Sequence, residues 1–270
     1  MQFDILYLKD FTTMTNMVSH FFANSLGKFT SVNVLLPDRP QKDRPIPTLY
    51  LLHGHSDDES IWMRRTALEL YAGNYYMAVV MPRGDRSFYN DMPSSENYFT
   101  FITKELPKVM ESYFPLSSER KDRFIAGLSM GGWGSLKAIL NCPETYAAGA
   151  SLSGVTDISW LKGANLKTYE ADFGADYIPE GVNDLYKLAE KLAELPDEER
   201  PKIFQYCGVD DFLYKDNIKF RDHLANLKIE AHYEEGPGGH CWTNWNERIV
   251  NVLNWLPLSE NIVKTGSVGV

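Results

Sequence analysis

Cysteine is the first thing this sequence is short of. It has three, Cys142, Cys207 and Cys241, with no CxxC pair among them. That excludes a disulfide framework and a thiolate zinc site, and points to a reducing, intracellular compartment. Cys241 directly follows a histidine, but neighbours in sequence point apart, so it reads as a bystander. Positive charge is also in deficit: 27 Lys and Arg face 36 Asp and Glu, for a net charge of −9. Nucleic acid and anionic membrane are therefore poor partners. No apolar run is long enough to span a bilayer. The opening "MQFDILYLKDFTTMTNMV" carries Asp4, Lys9 and Asp10 without a basic start, which makes a poor signal peptide and a cytoplasmic location the expectation. There is no Gly-Lys-Ser/Thr, and the glycines do not space as GxGxxG, so nucleotide binding is not indicated. Repeats and low-complexity stretches are missing as well. The segments "LPDRPQKDRPIP" and "LPDEERP" are surface loops too short to be linkers. One domain over residues 1–270 is expected, with the tail after about 258 loosely held.

What is present is an ordinary globular composition, 44% hydrophobic and 23% charged, able to bury a sizeable core. Short apolar or β-branched runs alternate with helical patterns, which predicts an α/β fold: a mostly parallel sheet covered by helices. Strands are expected at Thr30–Leu36, Thr48–Leu52, Ala78–Met81, Phe124–Gly127, Ala148–Leu152, Ile203–Cys207 and Ile229–Glu234. Helices are expected at Trp62–Tyr71, Tyr98–Tyr113, Gly131–Leu140, Leu185–Leu195, Asn217–Leu227 and Trp242–Trp255.

Between a strand and a helix lies "GLSMG", Gly127 to Gly131. Gly-x-Ser-x-Gly in that context is a nucleophile elbow. The serine sits on a strained turn, and small residues two before and two after let strand and helix approach closely. Ser129 would stand at a helix N-terminus, where backbone amides favour an anionic intermediate. A serine nucleophile needs a base, and the base an orienting carboxylate. Strand Ile203–Cys207 runs into "CGVDDFLY", offering Asp210 and Asp211. Strand Ile229–Glu234 runs into "EEGPGGHCW", offering His240. Both lie at carboxyl ends of strands, where open α/β sheets place their sites. His223 and His232 fall within a helix and a strand and read as surface residues, and His20 has no supporting context.

The stretch "LLHGHSDD", Leu51 to Asp58, allows two readings. His-x-His-x-Asp-His would open a dinuclear zinc site, but position 58 is Asp, and His240 already has a use without metal. Alternatively the loop supplies a second oxyanion donor: Gly54 lets the backbone turn so that the His55 N–H joins that of Met130. The second reading is preferred, and no metal or organic cofactor is expected.

Together, "LYLLHGHSDDESIWMRRT", "FIAGLSMGGWGSLKAIL", "CGVDDFLY" and "GGHCWTNW" resemble the esterase D family of α/β-hydrolases, from about Gly27 to Leu258. That family includes S-formylglutathione hydrolases, feruloyl and acetyl-xylan esterases and mycolyltransferases. The sequence looks most similar to its compact bacterial tributyrin esterases. The resemblance implies an α/β-hydrolase fold with helices on both faces and no large lid domain. It implies Ser129 as nucleophile, Asp211 as acid and His240 as base, with oxyanion donors at His55 and Met130, a small ester as substrate and a homo-oligomer. In the family's register the acid is the third residue after the glycine, here Gly208. Departures are Cys241, where many members carry an acid, and His55, where relatives have a larger apolar residue. Residues Gly154–Leu185 hold Trp160, Tyr169, Phe173 and Tyr177 but no clear amphipathic helix. They are too short for a lipase lid and are expected to wall a small pocket. Trp133, Trp242 and the loop "RGDRSFYND" are candidates for its rim. Short acyl chains on a small or sugar alcohol fit best, with acyl transfer, thioester hydrolysis or non-catalytic binding as alternatives.

Overall fold

The computed structural model describes residues 13–258, except 39, 178 and 179. The start of the N-terminal stretch read as a poor signal peptide, up to residue 12, and the tail beyond 258 lie outside the described residues. Eight strands form one sheet: β1 (Met14–Ala23), β2 (Lys28–Pro37), β3 (Thr48–Leu52), β4 (Ala78–Pro82), β5 (Arg123–Leu128), β6 (Ala148–Leu152), β7 (Lys202–Gly208) and β8 (Ala231–Gly236). Their order is β1-β2-β4-β3-β5-β6-β7-β8. β1 and β2 are antiparallel to their neighbours, and every pair from β4 to β8 is parallel. This is the α/β-hydrolase architecture. β3, β4 and β6 are buried at every residue, because covering helices on both faces favour near-continuous apolar runs in a parallel sheet.

The helices are α1 (Ile61–Arg65), α2 (Leu68–Ala72), α3 (Tyr98–Thr100), α4 (Leu106–Tyr113), α5 (Met130–Asn141), α6 (Ser159–Ala164), α7 (Leu166–Phe173), α8 (Leu185–Leu192), α9 (Tyr214–Asn226) and α10 (Trp242–Trp255). One core packs α1, α2 and α10 on a sheet face through Trp62, Leu68, Trp245 and Ile249. The other packs α4, α5, α8 and α9 on the opposite face through Met110, Leu136, Leu188 and Phe220. Register then matters for the site. Leu52 lies opposite Gly127, Leu128 opposite Leu152, and Gly208 opposite Gly236. The carboxyl ends of β3, β5, β7 and β8 thus form one rim, from which the four candidate loops rise.

Four local departures from the expected elements have physical causes. β1 was not foreseen; it is an edge strand paired through ten residues with β2, and its alternation of apolar and polar residues is weak. The helix expected over Trp62–Tyr71 is broken at Thr66, which is extended (φ −136°, ψ 169°). Its hydroxyl donates to the Trp62 carbonyl at 2.6 Å and accepts the Leu68 N–H at 3.1 Å, ending α1 and starting α2. The helix expected over Tyr98–Tyr113 contains a π turn at Phe101–Glu105 just before Pro107. Proline removes the N–H that would reach back one turn, and its ring displaces that carbonyl. Residues Gly154–Leu185 do hold helices, α6 and α7. α7 buries Thr168, Tyr169, Asp172 and Phe173 at helical spacing, so the segment is amphipathic after all.

α5 also buries a lysine completely. Lys137 Nζ donates to Asn90 Oδ1 at 2.9 Å and to the Tyr89 carbonyl at 3.3 Å, and lies 4.4 Å above the Phe99 ring. Burial pulls its pKa down to about 7 from 10.5. A depressed lysine binds fewer protons folded than unfolded, so it costs stability in full below about 7, relieved as pH rises towards 10.5. Calorimetric Tm values for wild type should therefore rise across this window relative to Lys137→Met, the difference between the two changing with pH. Parallel curves would contradict a buried, titrating lysine.

Candidate active site

Ser129 is the residue between β5 and α5, and its backbone (φ 53°, ψ −116°) is far from any relaxed serine conformation. Such strain costs about 1–3 kcal/mol and persists only where the surroundings impose it. The surroundings are glycines. A Cβ on Gly127 would meet the Gly131 backbone at 2.4 Å, and one on Gly131 would meet the Leu52 and His53 carbonyls at 2.6 and 2.7 Å. Those carbonyls are themselves fixed, by Trp62 Nε1–H at 3.1 Å and by the Tyr89 hydroxyl at 3.1 Å. The Ser129 N–H donates to Leu152 at 2.9 Å, which ties the turn to β6.

Three sequence-predicted side chains meet here. His240 Nε2 is 2.9 Å from Ser129 Oγ, and its Nδ1 is 2.9 Å from Asp211 Oδ2. With the ring proton on Nδ1, the imidazole donates to the carboxylate and accepts from the serine hydroxyl. The side chain of Asp211 is fully enclosed, and its other oxygen accepts the Leu213 N–H at 2.9 Å. Of the adjacent aspartates, Asp210 turns the other way. It accepts the Gly238 N–H on Oδ2 at 3.2 Å while its own N–H donates to the Gly238 carbonyl at 3.1 Å. Asn244 adds a bond to the Gly239 carbonyl at 2.8 Å. Gly238 has φ 117°, and a Cβ there would strike Asn244 at 2.2 Å. The loop carrying His240 is thus clamped from both ends.

Met130 is the first residue of α5, so its N–H has no partner within the helix. Gly54 lies over the same turn, where an added Cβ would sit 3.8 Å from Ser129 Cβ; His55 follows it. The His55 ring packs against Phe88 at 5.4 Å, and its Nε2 accepts from Arg86 Nε at 3.3 Å. Burial first, then the Arg86 charge, holds its pKa below the usual range. The alternative of a metal at this loop meets a specific obstacle. Both His53 nitrogens are committed, Nδ1 donating to the Gly54 carbonyl at 2.7 Å and Nε2 accepting the Gly84 N–H at 2.8 Å. Among the described residues no group of three or more His, Cys, Asp and Glu could hold a metal ion.

The rim differs from expectation. Trp133 has no exposed surface and belongs to the core beneath the sheet. As residue four of α5 it points inward on the face that must pack, so it cannot line a rim here. Trp242 is half-buried between Trp62 and Trp245, edge-on to each at 5.2 and 5.3 Å. Tyr169, Phe173 and Tyr177 pack on one another. Trp160 alone of the four faces the triad, stacked at 5.5 Å on Phe212, which in turn lies 4.6 Å from the His240 ring. Sequence reasoning missed Phe212. A phenylalanine next to the acid and 60% exposed is a signal only once exposure is known. Cys241 is exposed, and none of the three cysteines is in a disulfide.

The Putative esterase family matches residues 23–256. An acetyl esterase of Caldicellulosiruptor saccharolyticus is 33% identical over 262 residues, covering 90% of this chain and 98% of the relative. The substrate-bound structure of fluorophosphonate-binding serine hydrolase F of Staphylococcus aureus superposes with a TM-score of 0.83 at 33% identity, covering 90% of this chain and 98% of that one. An S-formylglutathione hydrolase from the same organism gives 0.81 at 34% identity with the same coverage.

The packing at the elbow makes a prediction. Gly131→Ala should lower stability by about 1–3 kcal/mol or more, since only backbone carbonyls could yield, and should depress turnover with it. Gly163→Ala in α6, where a Cβ meets nothing within 4 Å, is the control and should leave Tm unchanged or slightly raised. Equal Tm and activity for both variants would refute the steric account.

Proposed function

The chain belongs to the Putative esterase family, and from that premise we propose that this carboxylic ester hydrolase cleaves short-chain acyl esters through an acyl-enzyme on Ser129. The observation that carries the reading is the unbroken relay from Asp211 Oδ2 through His240 to Ser129 Oγ, with 2.9 Å at each step. Ser129 Oγ attacks the ester carbonyl while His240 Nε2 takes its proton, and Asp211 holds the imidazole tautomer and steadies the imidazolium. The N–H groups of Met130 and His55 stabilise the tetrahedral oxyanion, and losing such a donor costs ~3 kcal/mol in the barrier. The intermediate collapses as His240 returns the proton to the leaving alcohol. Water then enters and attacks the acyl carbonyl as it gives a proton to His240, and the second tetrahedral intermediate collapses as His240 passes that proton to Ser129 Oγ, releasing the acid.

Small acyl groups are supported by the similarity to an acetyl esterase and by the aromatic wall of Trp160 and Phe212 close to His240. Hydrolysis of a thioester is a second reading, supported by the similarity to an S-formylglutathione hydrolase, and uses the same groups.

Two measurements test the proposal. Asp211→Asn should keep the fold yet cut kcat by roughly 10⁴, because the imidazole loses its orienting acceptor. Asp210→Asn should cost far less, weakening only the clamp on Gly238. A folded, active Asp211→Asn beside a dead Asp210→Asn would reverse the assignment. On a series of nitrophenyl esters, kcat/KM should be highest for acetyl to butyryl and fall steeply beyond about eight carbons. A preference for long-chain emulsified triglycerides would contradict it.

A further inference from the structure

His53 is a buried titratable side chain beside the nucleophile to which the relay from Asp211 gives no part. Burial, first of all, pushes its pKa down, so the ring is neutral at neutral pH. The backbone sets its tautomer. The Gly84 N–H can only donate, and it meets Nε2 at 2.8 Å. The ring proton therefore sits on Nδ1 and is donated to the Gly54 carbonyl at 2.7 Å. The same carbonyl accepts the Asp57 N–H at 3.2 Å.

That carbonyl shares a peptide unit with the His55 N–H. In a planar trans peptide the two bonds point in opposite directions. Holding the Gly54 oxygen towards the buried imidazole thus turns the His55 N–H outward, away from the core. Gly54 lies over the Ser129 turn, where an added Cβ would sit 3.8 Å from Ser129 Cβ. Among the described residues the His55 N–H has no acceptor of its own. A donor fixed in direction and left without a partner is what an oxyanion site requires.

Much of the loop after β4 supports this arrangement. Tyr89 donates to the His53 carbonyl at 3.1 Å, and its ring stands 6.0 Å from the imidazole. A Cβ on Gly84 would meet that ring at 2.4 Å, so only a glycine lets Tyr89 and the Gly84 N–H close on His53 together. The Gly84 carbonyl accepts the Ser87 hydroxyl at 2.7 Å, which fixes the turn. Asp85, Phe88 and Tyr89, none of them glycine, have φ of 44°, 47° and 47°. Strain of this kind persists where the surroundings impose it, and here it brings Gly84 and Tyr89 to one ring. We propose that His53 is a positioning residue: its Nδ1–H turns the Gly54–His55 peptide so that the His55 N–H faces the developing oxyanion. The role rests on the esterase reading for its catalytic meaning, whereas the orientation of the peptide does not.

Two substitutions divide the bonds of the ring between them. Asn places a donor where Nδ1 stands, so His53→Asn keeps the bond to Gly54 and loses the one from Gly84. Gln places an acceptor where Nε2 stands, so His53→Gln does the reverse. Each variant forfeits one buried bond, and their Tm values should fall by similar amounts. Activity should not follow Tm. On 4-nitrophenyl acetate His53→Gln should lose roughly tenfold to a hundredfold in kcat with KM little changed, since only the transition state meets the oxyanion donor. The conservative His53→Asn should rescue kcat to within about threefold of wild type. A trifluoromethyl ketone bonds Ser129 Oγ through its carbonyl carbon as the hydroxyl proton passes to His240, leaving the same oxyanion. Its affinity should fall in His53→Gln by the factor lost in kcat/KM. Equal kcat in the two variants, or a loss carried by KM, would overturn the role.

Two further measurements need no turnover. Nitrogen NMR of isotope-labelled histidines in wild type should find the His53 proton on Nδ1, and a proton on Nε2 would overturn the proposal even if neither variant folds. A crystal structure of His53→Gln should show the Gly54–His55 peptide turned from its wild-type direction, and an unmoved peptide would overturn it as well. If wild type hydrolyses no ester, the esterase reading has failed, and these two measurements still decide what His53 holds.

Discussion

Ser129 can hold its strained backbone only because β5 and α5 touch at Gly127 and Gly131, with no room for a Cβ on either. Everything else at the site depends on that approach. It raises the serine hydroxyl above the sheet, aims the first amide of α5 at the same space, and presses α5 onto the carbonyls at the end of β3. The energy that sustains the strain comes from elsewhere. α5 buries all but its last residue, and apolar burial on that scale, at about 25 cal/mol per Å², far exceeds the strain of a single turn.

The histidine is secured by different means. Its loop rises from β8 and is held by backbone and side-chain bonds from Asp210 and by Asn244. Asp211 is left free to face the imidazole. Two adjacent carboxylates thus divide the work, one setting the loop and the other the ring. A third loop, after β4, adds Arg86 beside His55, and Lys137 braces its far end from inside the core. Four chain segments distant in sequence are brought together because a parallel sheet ends all its strands on one side.

Much of this was legible in the residues themselves. Gly-x-Ser-x-Gly between an apolar run and a helical pattern, followed in order by Asp and His after later strands, specifies a chemistry and a topology together. The choice between Asp210 and Asp211 was not legible from spacing, since both follow β7, and came from the resemblance. The misplacement of Trp133 arose because a tryptophan next to a nucleophile invites a functional reading, whereas its position on α5 decides that it packs. β1 was obscured by its weak alternation of apolar and polar residues at a sheet edge, and the break at Thr66 by a hydroxyl that competes with the helix.

The central claim is that Ser129, activated by His240, forms the covalent intermediate. Its most direct test is intact-protein mass spectrometry with peptide mapping after exposure to a fluorophosphonate. The account predicts a single adduct on Ser129, formed slowly in His240→Ala and not at all in Ser129→Ala. An adduct on another residue, or undiminished ester hydrolysis by Ser129→Ala, would contradict it.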